Sequence, residues 1–381
     1  MLDSKILKKQ QVFIFGYYGW KNTGDDAMLY VLLQELPKTF PEAEFIVLSH
    51  IPVVIPTSSK NKVRFVKPAV IPALSELLRS QIFIIGGGTH IHDYGQGIRI
   101  IKILLRLLII VALAKLSGNK VYLIGNGIGP ITTRMGRFFA RIICSMSDYI
   151  TARDKISYQT LGNLGLANDR HYLLGFDLAA LLKVEQDKRN NLGKTNSNLL
   201  TLGICVTSIF AIYYCNHEKD LVLIDEIAKA LNIHLAKTSN LNIHLFVFKE
   251  GQKDSDVHLT QLLKKRLGNS GRVKLIPYNS DPRETLNQVT QCDLFIGTKY
   301  HSCIFAYISH VPLLVIDYHP KCSAFAKEVG LPDYAIVSLQ DIIDGKFISY
   351  LNHLVNHPNE FLARLPINVA ETNARNSLYF K

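Results

Sequence analysis

The sequence predicts two α/β domains, each a parallel sheet with helices on both faces. Short apolar runs such as VFIF (Val12 to Phe15), QIFII (Gln81 to Ile85) and LFI (Leu294 to Ile296) read as buried strands. Most run into glycine-rich turns and then into apolar residues at helical spacing, and that alternation specifies parallel sheets. The pattern stops in a polar stretch, Glu185 to Asn198, and restarts beyond it. With 381 residues, two domains of roughly 150 to 200 residues are also what core size favours. The expected division is 1–190 and 199–345, with a helical segment, 346–381, packing across the interface.

In order along the chain, Val12 to Phe15 is the first strand and Gly16 to Gly24 a glycine-punctuated loop. A helix follows from Asp25 to Leu36 with an acidic first turn, which suits the macrodipole. Gly16, Gly19, Asn22 and Gly24 let the backbone pass close to a ligand, but the spacing is not GxGxxG and supports a dinucleotide site only weakly. A strand near Phe45 to Leu48 leads to a Pro-rich connection, Ile51 to Pro72. After the strand Gln81 to Ile85, Gly86, Gly87 and Gly88 permit close approach of a ligand or of another element. His90, His92 and Asp93 follow without companions at recognisable ligand spacing, so no metal is expected. Arg153 falls at the carboxyl end of a short strand, Tyr149 to Thr151, where it can meet a ligand or pair with a neighbouring carboxylate.

In the second half, strands at 200–205, 243–248 and 273–276 alternate with helices at 221–235, 257–267 and 282–290. They lead to Leu294 to Lys321, LFIGTKYHSCIFAYISHVPLLVIDYHPK, which reads as strand, tight turn, helix, strand. Loops and helix N-termini at the carboxyl edge of such a sheet favour anions. Lys299, His301 and Lys321 all fall there. Two cations and one group that titrates near neutrality suit a small, doubly charged acid that must also exchange a proton. Cys303 lies roughly 200° around the helix from His301, so the two cannot act as a nucleophile and base pair.

Lys and Arg number 43 against 31 Asp and Glu, a formal charge of +12 with a pI near 9.3. That balance favours an anionic partner. The chain has no RNP-like aromatic motif, zinc-finger spacing or concentrated basic block, so nucleic acid is not expected. The cysteines show no CxxC and mostly sit in apolar runs, as reduced cytosolic cysteines do, and MLDSKILKKQ lacks a signal-peptide core. The longest uncharged run in the apolar helix Ile98 to Lys115, Leu107 to Ala114, is far short of the ~20 residues that span a bilayer. Arg99, Lys102 and Arg106 fall within one narrow face of it, which fits either a solvated edge or a helix resting on an anionic membrane surface.

Four segments carry a resemblance. GYYGWKNTGDDAM resembles the N-terminal signature of the polysaccharide pyruvyl transferase family, FIIGGGTHIHD its second glycine motif, TARDKISYQTL its Arg-Asp-x-x-S segment, and GTKYHSCIFAYISHVPLLVIDYHPK its G-x-R-x-H…VP…Y-x-x-K segment. They occur in the family's order from about Phe13 to Lys321, and that joint order is far more specific than any one of them. The resemblance implies two Rossmann-like domains in a GT-B-like arrangement, no metal or cofactor, and a cytoplasmic enzyme acting near the inner face of the cell membrane. It implies transfer of the enolpyruvyl unit of phosphoenolpyruvate to a sugar, forming a pyruvate ketal. Acceptors in the family are sugars of envelope or secreted polysaccharides, often still attached to a lipid carrier. Arg153 and Lys321 would bind phosphoenolpyruvate and His301 would serve as acid or base. Lys299 stands where the family usually has Arg, keeping the charge but not the bidentate fork. Gly16, Asn22, Asp25, Gly87, Gly88 and Asp93 complete the expected substrate contacts, with Asp25, Asp26 and Asp93 as candidates for sugar hydroxyls. The same fold would also serve a nucleotide-sugar glycosyltransferase or a non-catalytic glycan-binding relative.

Overall fold

The computed structural model describes residues 10–93, 97–166, 172–183, 199–211, 216–251, 255–268 and 271–379. The polar stretch 185–198 and Cys215 lie outside them. The chain forms two compact units. Met1–Trp20, Met28–Leu181 and Thr372–Lys381 make up the first, and Lys21–Ala27 with Leu182–Glu371 the second.

The first unit contains β1 (Gln11–Tyr18), most of α1 (Thr23–Thr39), β2 (Glu44–Ser49), β3 (Val63–Val66), α2 (Val70–Arg79), β4 (Ile82–Gly86), β5 (Thr89–Ile91), α3 (Gly97–Leu116), β6 (Lys120–Ile128), α4 (Arg134–Met146), β7 (Tyr149–Ala152), α5 (Lys155–Leu161) and β8 (Tyr172–Leu174). The parallel sheet runs β3-β2-β1-β4-β6-β7-β8, and β5 pairs with β6. Its central strands are buried on both faces, which is why they read as continuous apolar runs: every residue of β4 is buried. Side-chain caps start two of the helices, with Thr133 accepting from the Gly136 N–H for α4 and Asp154 from the Ser157 N–H for α5. Several details differ from the sequence expectation, among them the strand expected at 243–248, which is Leu241–Phe246, and the helix expected at 221–235, which is His217–Lys237. The stretch read as a Pro-rich connection also holds β3 and starts α2. The first strand runs on through Gly16 to Tyr18.

The second unit contains β9 (Leu200–Cys205), α6 (His217–Lys237), β10 (Leu241–Phe246), α7 (Val257–Leu267), β11 (Val273–Ile276), α8 (Pro282–Thr290), β12 (Leu294–Gly297), α9 (Tyr300–Ile308), β13 (Leu313–Asp317), α10 (Pro320–Glu328), β14 (Ile336–Ser338), α11 (Leu339–Ile343), α12 (Phe347–Asn356) and the start of α13 (Ile367–Asn376). Its parallel sheet runs β11-β10-β9-β12-β13-β14. The chain therefore winds outward in both directions from β9, and the reversal falls between β9 and β12. In open parallel sheets, loops part at that point and leave a crevice at the carboxyl edge.

Packing fixes the loops around that crevice. Phe246 and Phe295 lie 5.4 Å apart across the sheet, and Phe248, just past β10, meets Phe305 of α9 edge-to-face at 5.4 Å. All four are essentially inaccessible to solvent. Each contributes roughly 2–3 kcal/mol of apolar burial, and such pairs about 1 kcal/mol more. The loop after β10 is thereby held against the helix after β12.

Candidate functional site

At the switch point of the second unit, a cleft of about 170 Å³ is lined by residues that follow four neighbouring strands. Thr207 and Ser208 follow β9, Phe248 and Lys249 follow β10, Lys299, Tyr300 and His301 follow β12, and Tyr318 and Lys321 follow β13. Asn22 completes the wall. It arrives on a short segment that pairs antiparallel with the loop after β10, Asn22 opposite Lys249. The Thr23 N–H donates to the Phe248 carbonyl at 2.9 Å, and the Glu250 N–H to the Lys21 carbonyl at 3.0 Å.

Lys299 occupies the N-cap position of α9 and provides no side-chain cap. The capping residue therefore does not meet the first-turn N–H groups, which carry the positive end of the helix dipole. Its ammonium is 3.1 Å from Oδ1 of Asp256, a carboxylate with no solvent exposure. Asp256 also accepts the N–H groups of Phe248 and Lys249, at 3.1 and 2.8 Å. Full burial pushes the Asp256 pKa up, opposed by the Lys299 ammonium and the Thr207 hydroxyl. Asp256 thus holds both Lys299 and the backbone of Lys249, whose side chain is itself buried and lines the cleft. Sequence reasoning missed Lys249 and Asp256. Lys249 sits just past a strand's carboxyl end, as Lys299 does, and that signal was available.

His301, in the first turn of α9, packs edge-to-face on Tyr300 at 5.4 Å. It also lies against Gly24. A β-carbon built there would fall 2.0 Å from Nδ1 of His301. Asn22 Oδ1 accepts the Gly24 N–H at 3.2 Å, and Asn22 Nδ2 donates to Asp25 at 2.5 Å. Asp25 therefore orients Asn22 and is itself buried. Asp26 is buried and accepts the Tyr278 hydroxyl at 2.8 Å, and burial beside that carboxylate pushes the Tyr278 pKa up. Lys321 places its ammonium 5.9 and 6.0 Å from the ring centres of Tyr318 and Tyr300. Cys303 is fully buried, its thiol pKa raised well above the ordinary value by desolvation.

The other sequence-predicted residues lie in the first unit. Arg153 is 4% exposed and bonded within that unit, Nη2 to Thr89 Oγ1 at 2.9 Å, Nε to Asp154 at 3.3 Å and Nη1 to fully buried Asp177 at 3.5 Å. Asp93 accepts the N–H and hydroxyl groups of both Thr132 and Thr133, and those bonds lower its pKa against the opposing effect of burial. It ties down the start of α4. The space beside Gly16 is filled by the Tyr18 ring, 2.4 Å from a β-carbon built there. Beside Gly87, at φ +64°, lies the Met28 sulfur at 2.5 Å. The Gly88 N–H donates to the same sulfur. For these glycines the close approach is to the protein's own side chains.

The family model for polysaccharide pyruvyl transferase matches residues 22–320, a span that holds all ten cleft residues but Lys321. The chain belongs to the polysaccharide pyruvyl transferase family. Among curated relatives of this pyruvyl transferase family member is the amylovoran biosynthesis protein AmsJ of Erwinia amylovora, 21% identical over 259 residues, which cover 65% of this chain. The chain spans 60% of AmsJ's own length. Similar solved structures include Anabaena HepE in complex with UDP-glucose (TM-score 0.56, 13% identity, 97% of this chain and 95% of that one). A UDP-GlcNAc 2-epimerase of Methanocaldococcus jannaschii bound to UDP-GlcNAc and UDP scores 0.61 at 13% identity, covering 96% and 98%. The lipopolysaccharide outer core galactosyltransferase WaaB scores 0.52 at 13% identity, covering 97% and 99%. These likenesses show the fold alone, the α/β parallel-sheet fold of GT-B-like enzymes.

Proposed function

We propose that this transferase moves the enolpyruvyl group of phosphoenolpyruvate onto a polysaccharide precursor sugar and closes it into a pyruvate ketal. One observation carries the reading: Lys249, Lys299 and Lys321 line a single cleft together with His301. Phosphoenolpyruvate presents a carboxylate and a phosphate, and fixed ammonium groups with helix N–H donors are what such a dianion needs. The cleft suits a small donor. Pockets for drug-sized ligands are roughly 300–1,000 Å³, against about 170 Å³ here.

In this reading a proton adds to C3 of the enol and leaves C2 electron-poor. A sugar hydroxyl gives up its proton as its oxygen bonds to C2, the C2–O bond to phosphate breaks, and inorganic phosphate departs. A second hydroxyl of the same sugar then bonds to C2, gives up its proton to the released phosphate, and closes the ring. His301 is the group that carries a proton in one of these steps, held beside the lysines by Gly24 and Tyr300. The reaction uses two hydroxyls and one phosphoenolpyruvate, with no net redox change.

The test is incubation with phosphoenolpyruvate and a panel of lipid-linked or aryl glycosides. Phosphate release should be matched by a mass gain of one carboxyethylidene group on the sugar, and both should vanish in His301→Ala. Thermal-shift protection by UDP and not by phosphoenolpyruvate would favour a nucleotide-sugar glycosyltransferase instead.

A further inference from the structure

Helices α3 and α4 pack side by side in the first unit, and neither carries an Asp or Glu. On α3 the core is met by Leu104, Leu107, Val111 and Ala114, all buried. The opposite face of a surface helix is ordinarily polar. Here it presents Ile109 at 50% and Leu116 at 83% exposure, with exposed Lys102 and Arg106 among them. The same mixture recurs on α4, where Met135 (56%) and Phe138 (61%) project between exposed Arg134, Arg137 and Arg141. Large apolar side chains set among cations, without a carboxylate on either helix, make a surface that water solvates poorly and an anionic one attracts.

We propose that the α3–α4 face docks on an anionic lipid bilayer, with Ile109, Leu116, Met135 and Phe138 entering the headgroup–acyl boundary and the Lys and Arg side chains meeting the phosphates. The face lies on the membrane. Among the described residues no helix is long and apolar enough to cross one, so the contact has the geometry of an interfacial helix pair. Charge excludes the simplest rival, a second copy bound face to face. A two-fold contact would set Arg134, Arg137 and Arg141 against their own duplicates, and like charges brought together repel. The inference does not depend on the reaction assigned to the second unit, because it concerns residues of the first unit alone.

Vesicle co-sedimentation of the full chain tests it, comparing phosphatidylcholine vesicles with vesicles that also contain phosphatidylglycerol. The wild type should pellet with the anionic vesicles at low salt, and salt should release it. Ile109→Ser with Phe138→Ser should lower partitioning about tenfold, and so should Arg137→Glu with Arg141→Glu. All four positions are exposed, and unchanged thermal melting would show that the variants fold. Phe138→Trp should show a blue-shifted emission on binding. Failure of the wild type to pellet with anionic vesicles at low salt would overturn the proposal. So would equal pelleting of wild type and variants, or a dimer in sedimentation equilibrium that Phe138→Ser dissociates.

Discussion

A β-carbon at Gly24 would sit 2.0 Å from Nδ1 of His301, so the imidazole occupies the space that the glycine leaves vacant. The two residues are 277 positions apart in the sequence, yet one determines where the other can lie. Gly24 has an ordinary negative φ, so alanine there strains nothing but this contact. Gly24→Ala should lower kcat for phosphoenolpyruvate-dependent phosphate release by about a hundredfold, since small misplacement of a proton-transfer group costs that much. Thermal stability should change little. Wild-type turnover in Gly24→Ala would remove His301 from the chemistry.

The Lys299 and Asp256 pair predicts non-additive stabilities. Lys299→Met should destabilise the fold by about 3–5 kcal/mol, because it leaves a fully buried carboxylate unmatched. Asp256→Asn should weaken the fold as well, and the double variant should be more stable than the sum of the two losses implies. A chemical-denaturation double-mutant cycle measures the coupling. Additive losses would mean that the pair contributes nothing as a pair.

Lys249→Ala and Lys321→Ala should each raise KM for phosphoenolpyruvate roughly ten- to a hundredfold, the equivalent of one charge-assisted hydrogen bond of about 1.5–3 kcal/mol. The thermal shift produced by phosphoenolpyruvate should shrink in parallel. A variant that loses kcat at unchanged KM would place its lysine in the chemical step.

His90 supplies a pH dependence. Burial, aided by the nearby charges of His92 and Arg153, pushes its pKa down to about 4 from an ordinary value of 6.5. The folded state therefore holds fewer protons than the unfolded chain between those values. The neutral form of His90 carries no penalty above about pH 6.5, and stability is lost as pH falls toward 4, by on the order of 2–3 kcal/mol. Across that range the melting temperature of wild type should fall more steeply with decreasing pH than that of His90→Phe, and equal slopes would remove His90 from the acid sensitivity.

Arg153→Ala should destabilise the first unit by about 3–5 kcal/mol, because Asp177 is fully buried and Arg153 is its ion-pair partner. Protection of the amides of β7 and β8 against hydrogen exchange should fall with it.

Much of this was legible in the sequence, for stated reasons. Buried parallel strands are continuous apolar runs, so β4, β9 and β12 announced themselves, and helices α7 and α8 fell where the strand–helix alternation placed them. Lys299, His301 and Lys321 followed from one rule, that ligands meet parallel sheets at the carboxyl edge. The short edge strand β3 did not show, because only one of its four residues, Val66, is buried and so few residues carry almost no pattern. Asp256 was hidden for a different reason. An acid just before a helix looks like an ordinary cap, and only the fold brings it to Lys299, 43 residues on. Gly16 and Gly87 misled, since the sequence shows that room exists but not which atoms take it.

Every side chain lining the cleft belongs to the second unit. Only Asn22 reaches it from a loop of the first sheet, the segment between β1 and α1. Sequence change confined to the first unit can therefore accumulate without altering which side chains face the cleft.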